Sequence, residues 1–190
     1  SKLPPSWHPI TKGWLGTINT AWQLSDWMRT EQVRGVTYKL TRPDDSFDEL
    51  WHTQSELQVL MGVRDQSYLK WRFDPAIYPE VQFLVAYDQS DSALGYAAFV
   101  IDDGRCNVLD FLARPEPESW ALKALMSGLF KTAMQAGSFA VNVDFFGSST
   151  VTDRFVALGM SLRAGRPIYG AGTLAQAFTH DAFYFTWADA

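Results

Sequence analysis

The run from Asn107 to Phe146 constrains the fold more than any other stretch. It reads as strand, loop, helix and strand: NVLDFLA, then PESWALKALMSGLFKTAMQAG, then SFAVNVDFF. Pro117 suits the first turn of a helix, where its missing N–H costs nothing, and Gly137 suits the C-terminal cap. The apolar continuity of SFAVNVDFF predicts a strand buried on both faces. The strands at 108–113 and 139–146 are therefore expected side by side in one sheet, with the helix crossing between them. A strand-to-helix loop is also a common seat for a phosphate, yet this one holds no glycine and carries Glu116 and Glu118 instead.

The flanking segments extend the pattern. VTYKL (36–40), VQFLVAYD and ALGYAAFVIDDG alternate or run apolar, and the last two face each other across the polar turn QSDS. FDELWHTQSELQVL, with Asp45 or Ser46 as cap, and RDQSYLKWRF read as helices, as does SSTVTDRFVALG with Ser149 or Thr150 as cap. SLRAGRPIY and AFYFTW read as the last two strands. At the front, three prolines lie within residues 1–12, and Trp14, Ile18, Ala21, Trp22, Ser25 and Met28 then recur at helical spacing up to Gly35. The expectation is an α/β (α+β) chain: a Trp-rich helix or linker over 1–34, then one domain over 35–190. Its mixed sheet has about six or seven strands flanked by helices.

Composition removes several function classes. Lys and Arg total 16 against 21 Asp and Glu, a net charge of −5, and no basic run suggests a nucleic-acid partner. The single Cys106 excludes an internal disulfide and every multi-cysteine zinc pattern, and beside Arg105 it reads as a small residue at a strand start. His8, His52 and His180 lack clustered ligand spacing, so no metal is expected. No apolar run approaches the ~18 residues of a membrane helix, and no signal peptide is apparent, which makes a cytoplasmic location the expectation. GAGTLA (170–175) matches a dinucleotide fingerprint, but too few residues follow it for the required helix and strand.

The element order, with ALGYAAFV, RDQSYLKWRF and DRFVALGM, resembles the GNAT acetyltransferase fold over about residues 36–190. Phe155, Gly159 and Met160 are similar to the aromatic-x-x-x-Gly-Phe ending of that family. Arg64, Tyr68, Leu69, Trp71 and Arg72 resemble a segment of GNAT-like proteins that work on cell-surface polysaccharide and peptidoglycan, several of which carry two such units in tandem. The resemblance implies an N-acyltransferase with an acyl-CoA-like co-substrate and an amine acceptor, in cell-surface or carbohydrate precursor metabolism. The alternative is a degenerate GNAT-like domain that binds a ligand or protein without catalysis. A further possibility makes Trp7, Trp14, Trp22 and Trp27 a docking helix for another domain.

The resemblance also distributes roles. In the family's Arg/Gln-x-x-Gly-x-Gly/Ala loop, backbone N–H groups hold the donor's pyrophosphate. Here Arg114 stands at the first position, Pro117 at the first glycine and Ser119 at the second, so cofactor contact falls to Arg114, Ser119 and Trp120. Pro117 offers no N–H and cannot take a positive φ, and the two glutamates repel an anion. The tyrosine that protonates the leaving thiolate in many members is replaced by Phe155. Asp110 is the candidate general base, with an ion-pair partner as its alternative role, and Asp144, on the strand face it shares with Asn142, is a second candidate. Tyr68, Trp71 and Arg72 lie on one helical face, suited either to an acceptor's anionic group and ring or to packing.

Overall fold

The computed structural model describes residues 7–14, 16–21, 33–55, 60–115, 120–162, 167–171 and 183–189. Ten strands occur among them: β1 (Trp7–Trp14), β2 (Gly16–Ala21), β3 (Thr37–Thr41), β4 (Leu60–Met61), β5 (Gln82–Tyr87), β6 (Ala93–Asp102), β7 (Arg105–Ala113), β8 (Ala140–Gly147), β9 (Pro167–Ala171) and β10 (Phe183–Thr186). Four helices accompany them: α1 (Asp45–Ser55), α2 (Gln66–Arg72), α3 (Trp120–Gln135) and α4 (Ser149–Ala157). A 3-10 turn spans Trp187–Asp189. The main sheet runs β3-β5-β6-β7-β8-β10-β4, with β2 also paired to β8, while β1 and β9 form a separate pair. Neighbours from β3 to β7 are antiparallel, β7 and β8 are parallel, and β10 is antiparallel to β8, so the sheet is mixed as expected.

Local chemistry sets the helix boundaries. Asp44, not Asp45 or Ser46, caps α1: its Oδ1 accepts from the Ser46 N–H at 3.0 Å and the Ser46 hydroxyl at 2.6 Å. Asp65 caps α2 by accepting from the Tyr68 N–H at 2.7 Å. Ser148, one residue before the expected pair, caps α4 through the Thr150 N–H. Gly137 ends α3 at φ +79°, the left-handed conformation expected of it.

Two cores sandwich the sheet. β5 shows why its sequence is apolar throughout: Leu84 and Ala86 face one core, and Phe83, Val85 and Tyr87 face the other. On one side α3 buries Ala121, Leu125, Met126, Leu129 and Ala133 against Phe99, Val108, Val141 and Val143. On the other, Phe47 and Leu50 of α1 and Leu69 of α2 pack with Phe83, Tyr96 and Leu112. Each such side chain contributes ~1.5–3 kcal/mol of transfer free energy.

Two expectations are corrected. Residues 13–14 and 16–21, the start of the expected helix, lie in strands β1 and β2. The 3-and-4 spacing there competes with Gly13, Gly16 and the β-branched Thr17, Ile18 and Thr20, and the free edge of β8 supplies the partner that β2 takes. The rest of the supposed docking helix, 22–32, lies outside the described residues. Leu60, expected at a helix end, is instead in a short strand with Met61, paired in parallel with Phe183 and Tyr184.

Candidate active site

The parallel strands β7 and β8 stay paired only from Arg105↔Ala140 to Val108↔Val143. At the same level β7 carries a bulge against β6: Val108 pairs with Phe99 and Asp110 with Ala98, leaving Leu109 as the extra residue. The bulge decides which way Asp110 points. Cys106 and Val108 face the α3 core, and strict alternation would send residue 110 there too. The extra residue instead turns Asp110 to the α1–α2 face and gives its place in the α3 core to Phe111.

On that face Asp110 meets Arg64, and both are buried, at 0% and 1% exposure. Asp110 Oδ1 accepts from Arg64 Nε at 3.0 Å and from the Thr186 hydroxyl at 2.6 Å, while Oδ2 accepts from the Tyr96 hydroxyl at 2.6 Å. Arg64 also donates to the Gly62 carbonyl and, at 2.5 Å, to Asp189, whose Oδ2 accepts the Thr186 N–H as well. Burial opposes the guanidinium charge, but Asp110 first, then Tyr96 and Asp189, raise its basicity further. Burial likewise drives the Tyr96 hydroxyl well above its ordinary value, so it remains a donor. The cluster is a fully bonded ion pair, and Asp110 takes the ion-pair role in place of facing an open cleft.

The parted ends of β7 and β8 are bridged by the C-terminal segment. β10 pairs with Phe145, Phe146 and Gly147 of β8, and the Tyr184 hydroxyl donates to the Phe111 carbonyl of β7 at 2.9 Å. The Tyr184 ring lies 5.4 Å from Phe111 and 5.0 Å from Phe145, centre to centre, and Phe155 stands edge-on to Phe111 at 5.3 Å. The position where a thiolate-protonating tyrosine was sought thus holds a fully buried packing residue.

The other candidates separate into distinct surroundings. Asp144 is exposed on β8, one residue past the last β7–β8 pair, on the strand face it shares with Asn142. Arg114 is turned onto the β5–β6 connection: its guanidinium donates to the Ser92 hydroxyl and the Ala93 carbonyl and stands 3.9 Å from Asp88. Trp120 is half-buried against the α3 core. Glu116, Pro117, Glu118 and Ser119 lie outside the described residues. Tyr68 and Arg72 both donate to the Ala188 carbonyl, at 3.1 and 3.0 Å, and the Arg72 guanidinium lies 4.7 Å from the Trp187 ring. Trp71 alone of that face stands out, 72% exposed. Sequence reasoning noted Arg64 and Asp110 separately and missed their pairing, because the bulge that aims Asp110 leaves no mark in the residue pattern.

A mixed sheet whose central parallel pair, joined through a long helix, parts beyond a bulge defines a GNAT-like fold, and comparison with solved structures shows the same. A GCN5-related N-acetyltransferase from Sphaerobacter thermophilus matches at a TM-score of 0.54 and 16% identity, over 86% of this chain and 52% of its own. FemX matches at 0.61 and 11%, over 84% and 64%. A conserved protein of unknown function from Enterococcus faecalis V583, named "Probable N-Acyltransferase", matches at 0.56 and 21%, over 82% and 38%. The chain therefore spans between 38% and 64% of these three proteins. No protein-family model and no curated protein sequence matches it. Among the described residues no helix is long and apolar enough to cross a membrane, and no group of acidic, Cys or His side chains is placed to hold a metal.

Proposed function

We propose that the chain is a GNAT-like N-acyltransferase unit that moves an acyl group from a thioester donor of the acyl-CoA type to an amine. One observation carries the reading: β7 and β8 part beyond Val108 and Val143, so the backbone groups of 109–113 have no partner on β8. Crevices at the carboxyl ends of parallel strands are the ordinary ligand sites of α/β sheets. In the reaction the amine nitrogen attacks the acyl carbon, the C–N bond forms as the C–S bond breaks, and the ammonium proton must leave. In this reading Asp144, exposed one residue past the last β7–β8 pair, takes that proton, and the thiolate leaves without a tyrosine's help. Asp110 acts through position: its bonds to Arg64 and Thr186 hold β10 against β7. Cell-surface or carbohydrate precursors remain the expected source of the acceptor.

Arg114 donates to Ser92 and Ala93, so the donor's phosphates would draw on the start of α3 as well. A second reading, a GNAT-like unit that binds without catalysis, is favoured by the aromatic bridge of Tyr184, Phe111, Phe145 and Phe155 across the parting. Thermal melting with acetyl-CoA separates the readings from an unrelated use of the fold. Ligand at ~100 Kd adds about 2.7 kcal/mol, a clear shift. A shift together with acyl transfer that Asp144→Asn reduces by ~100-fold or more supports the enzyme. A shift without transfer supports the binding unit, and the absence of any shift removes both.

A further inference from the structure

Asn107 and Asn142 occupy paired positions on β7 and β8, one register step before the strands part. Asn142 Nδ2 donates to Asn107 Oδ1 at 2.7 Å, both residues are half-buried, and the buried Oδ1 of Asn142 has no donor. Asn19 of β2 lies directly opposite Asn142 in register, so three asparagines form one row across three adjacent strands. Asparagine is disfavoured in strands, and a buried carbonyl oxygen without a donor carries a desolvation penalty. Valine fills the corresponding positions on the opposite face, at 108, 141 and 143. A pair of amides where the strand pattern calls for β-branched residues is held against stability, and such positions concentrate where function needs them.

We infer that Asn107, Asn142 and Asp144 form the seat of the acceptor: a primary ammonium group with a hydrogen-bonding carbonyl or hydroxyl on the adjoining carbon. Asp144, two residues beyond Asn142 on the same face, takes the ammonium. The asparagine pair, which can both donate and accept, takes the neighbouring polar group. A bare alkylamine would find only the carboxylate. The inference rests on the N-acyltransferase reading for its meaning, but it is tested without a donor.

The test is a titration of the Asn107 and Asn142 side-chain amide signals by NMR with three probes: glycinamide, glucosamine and n-butylamine. Glycinamide represents a peptide-like acceptor and glucosamine a sugar-like one. At least one of these should shift both signals and bind ~5–10-fold more tightly than n-butylamine, the worth of one hydrogen bond. Replacing both asparagines with valine (N107V/N142V) should leave the melting temperature unchanged or higher and abolish that preference. Asp144→Asn should weaken all three probes alike. Equal binding of the three probes, no binding by any, or a Val pair that loses stability while keeping the preference would each overturn the inference. If acetyl-CoA binds and these probes do not, the seat is wrong and the acyltransferase reading stands. If the probes bind as described and acetyl-CoA does not, the seat survives the loss of that reading.

Discussion

Arg64 and Asp110 show how little a single residue's type says until its neighbours are known. Each invited a functional role, and each is satisfied by the other, at 1% and 0% exposure. Removing Arg64 leaves Asp110 buried without its counter-charge, and removing Asp110 leaves Arg64 buried with Asp189 as its one remaining carboxylate among the described residues. Arg64→Met or Asp110→Leu alone should therefore cost ~3–5 kcal/mol in denaturant unfolding, whereas the double replacement should recover most of the loss. Asp189 behaves differently. Burial raises its carboxyl above the ordinary value of 3.8, against the lowering effect of Arg64. A raised folded-state pKa means that the folded chain binds the proton more tightly. The stabilisation is thus complete below the ordinary value and lost as pH rises through the raised one. Urea midpoints for wild type and Asp189→Asn should diverge over that window, with the variant gaining as pH rises. Cys106 is a third case: burial pushes its thiol up to about 12, so a disulfide reagent should label it only after unfolding.

At the scale of elements, sequence pattern proved informative where one periodicity ruled. The α3 helix, the β5–β6–β7 meander and the β8 strand follow directly from apolar spacing, with Gly137 marking a helix end. It failed for β2, whose helical spacing yields to an available sheet edge, a tertiary partner that no local window contains. The α2 face is divided in a similar way. Tyr68 and Arg72 are tied to the C-terminal turn, while Trp71 is 72% exposed. Trp71→Ala should therefore change stability by no more than about 0.5 kcal/mol in thermal melting. Gly128 carries a clearer signature. It lies in the middle of α3, where alanine ordinarily stabilises. Here an added Cβ would stand 2.3 Å from the Tyr38 ring, which is anchored by its hydroxyl to the Ala124 carbonyl at 3.0 Å. Gly128→Ala should destabilise by ~1–3 kcal/mol in denaturant unfolding despite the helix preference.

At the scale of the whole molecule, the fold joins two tightly packed cores to one place where the sheet comes apart. The parting follows from strand geometry: a bulge at Leu109 bends β7 away from β8, and the C-terminal segment bridges the result through Tyr184 and Thr186. Fold class was legible because it depends on the order of elements. The site was legible only in part, because the aim of Asp110, the parting and the bridge depend on contacts between residues 64, 110, 184 and 186, far apart in the chain. In the proposed function this parting receives an acyl-thioester donor. Amide hydrogen exchange with and without acetyl-CoA tests it most directly, since each backbone group there reports its own partner. Donor binding in the parting should add protection confined to 109–113, 144–147 and 183–186, rising with ligand concentration. Protection elsewhere with those three segments unchanged, or no change at any concentration, would contradict it.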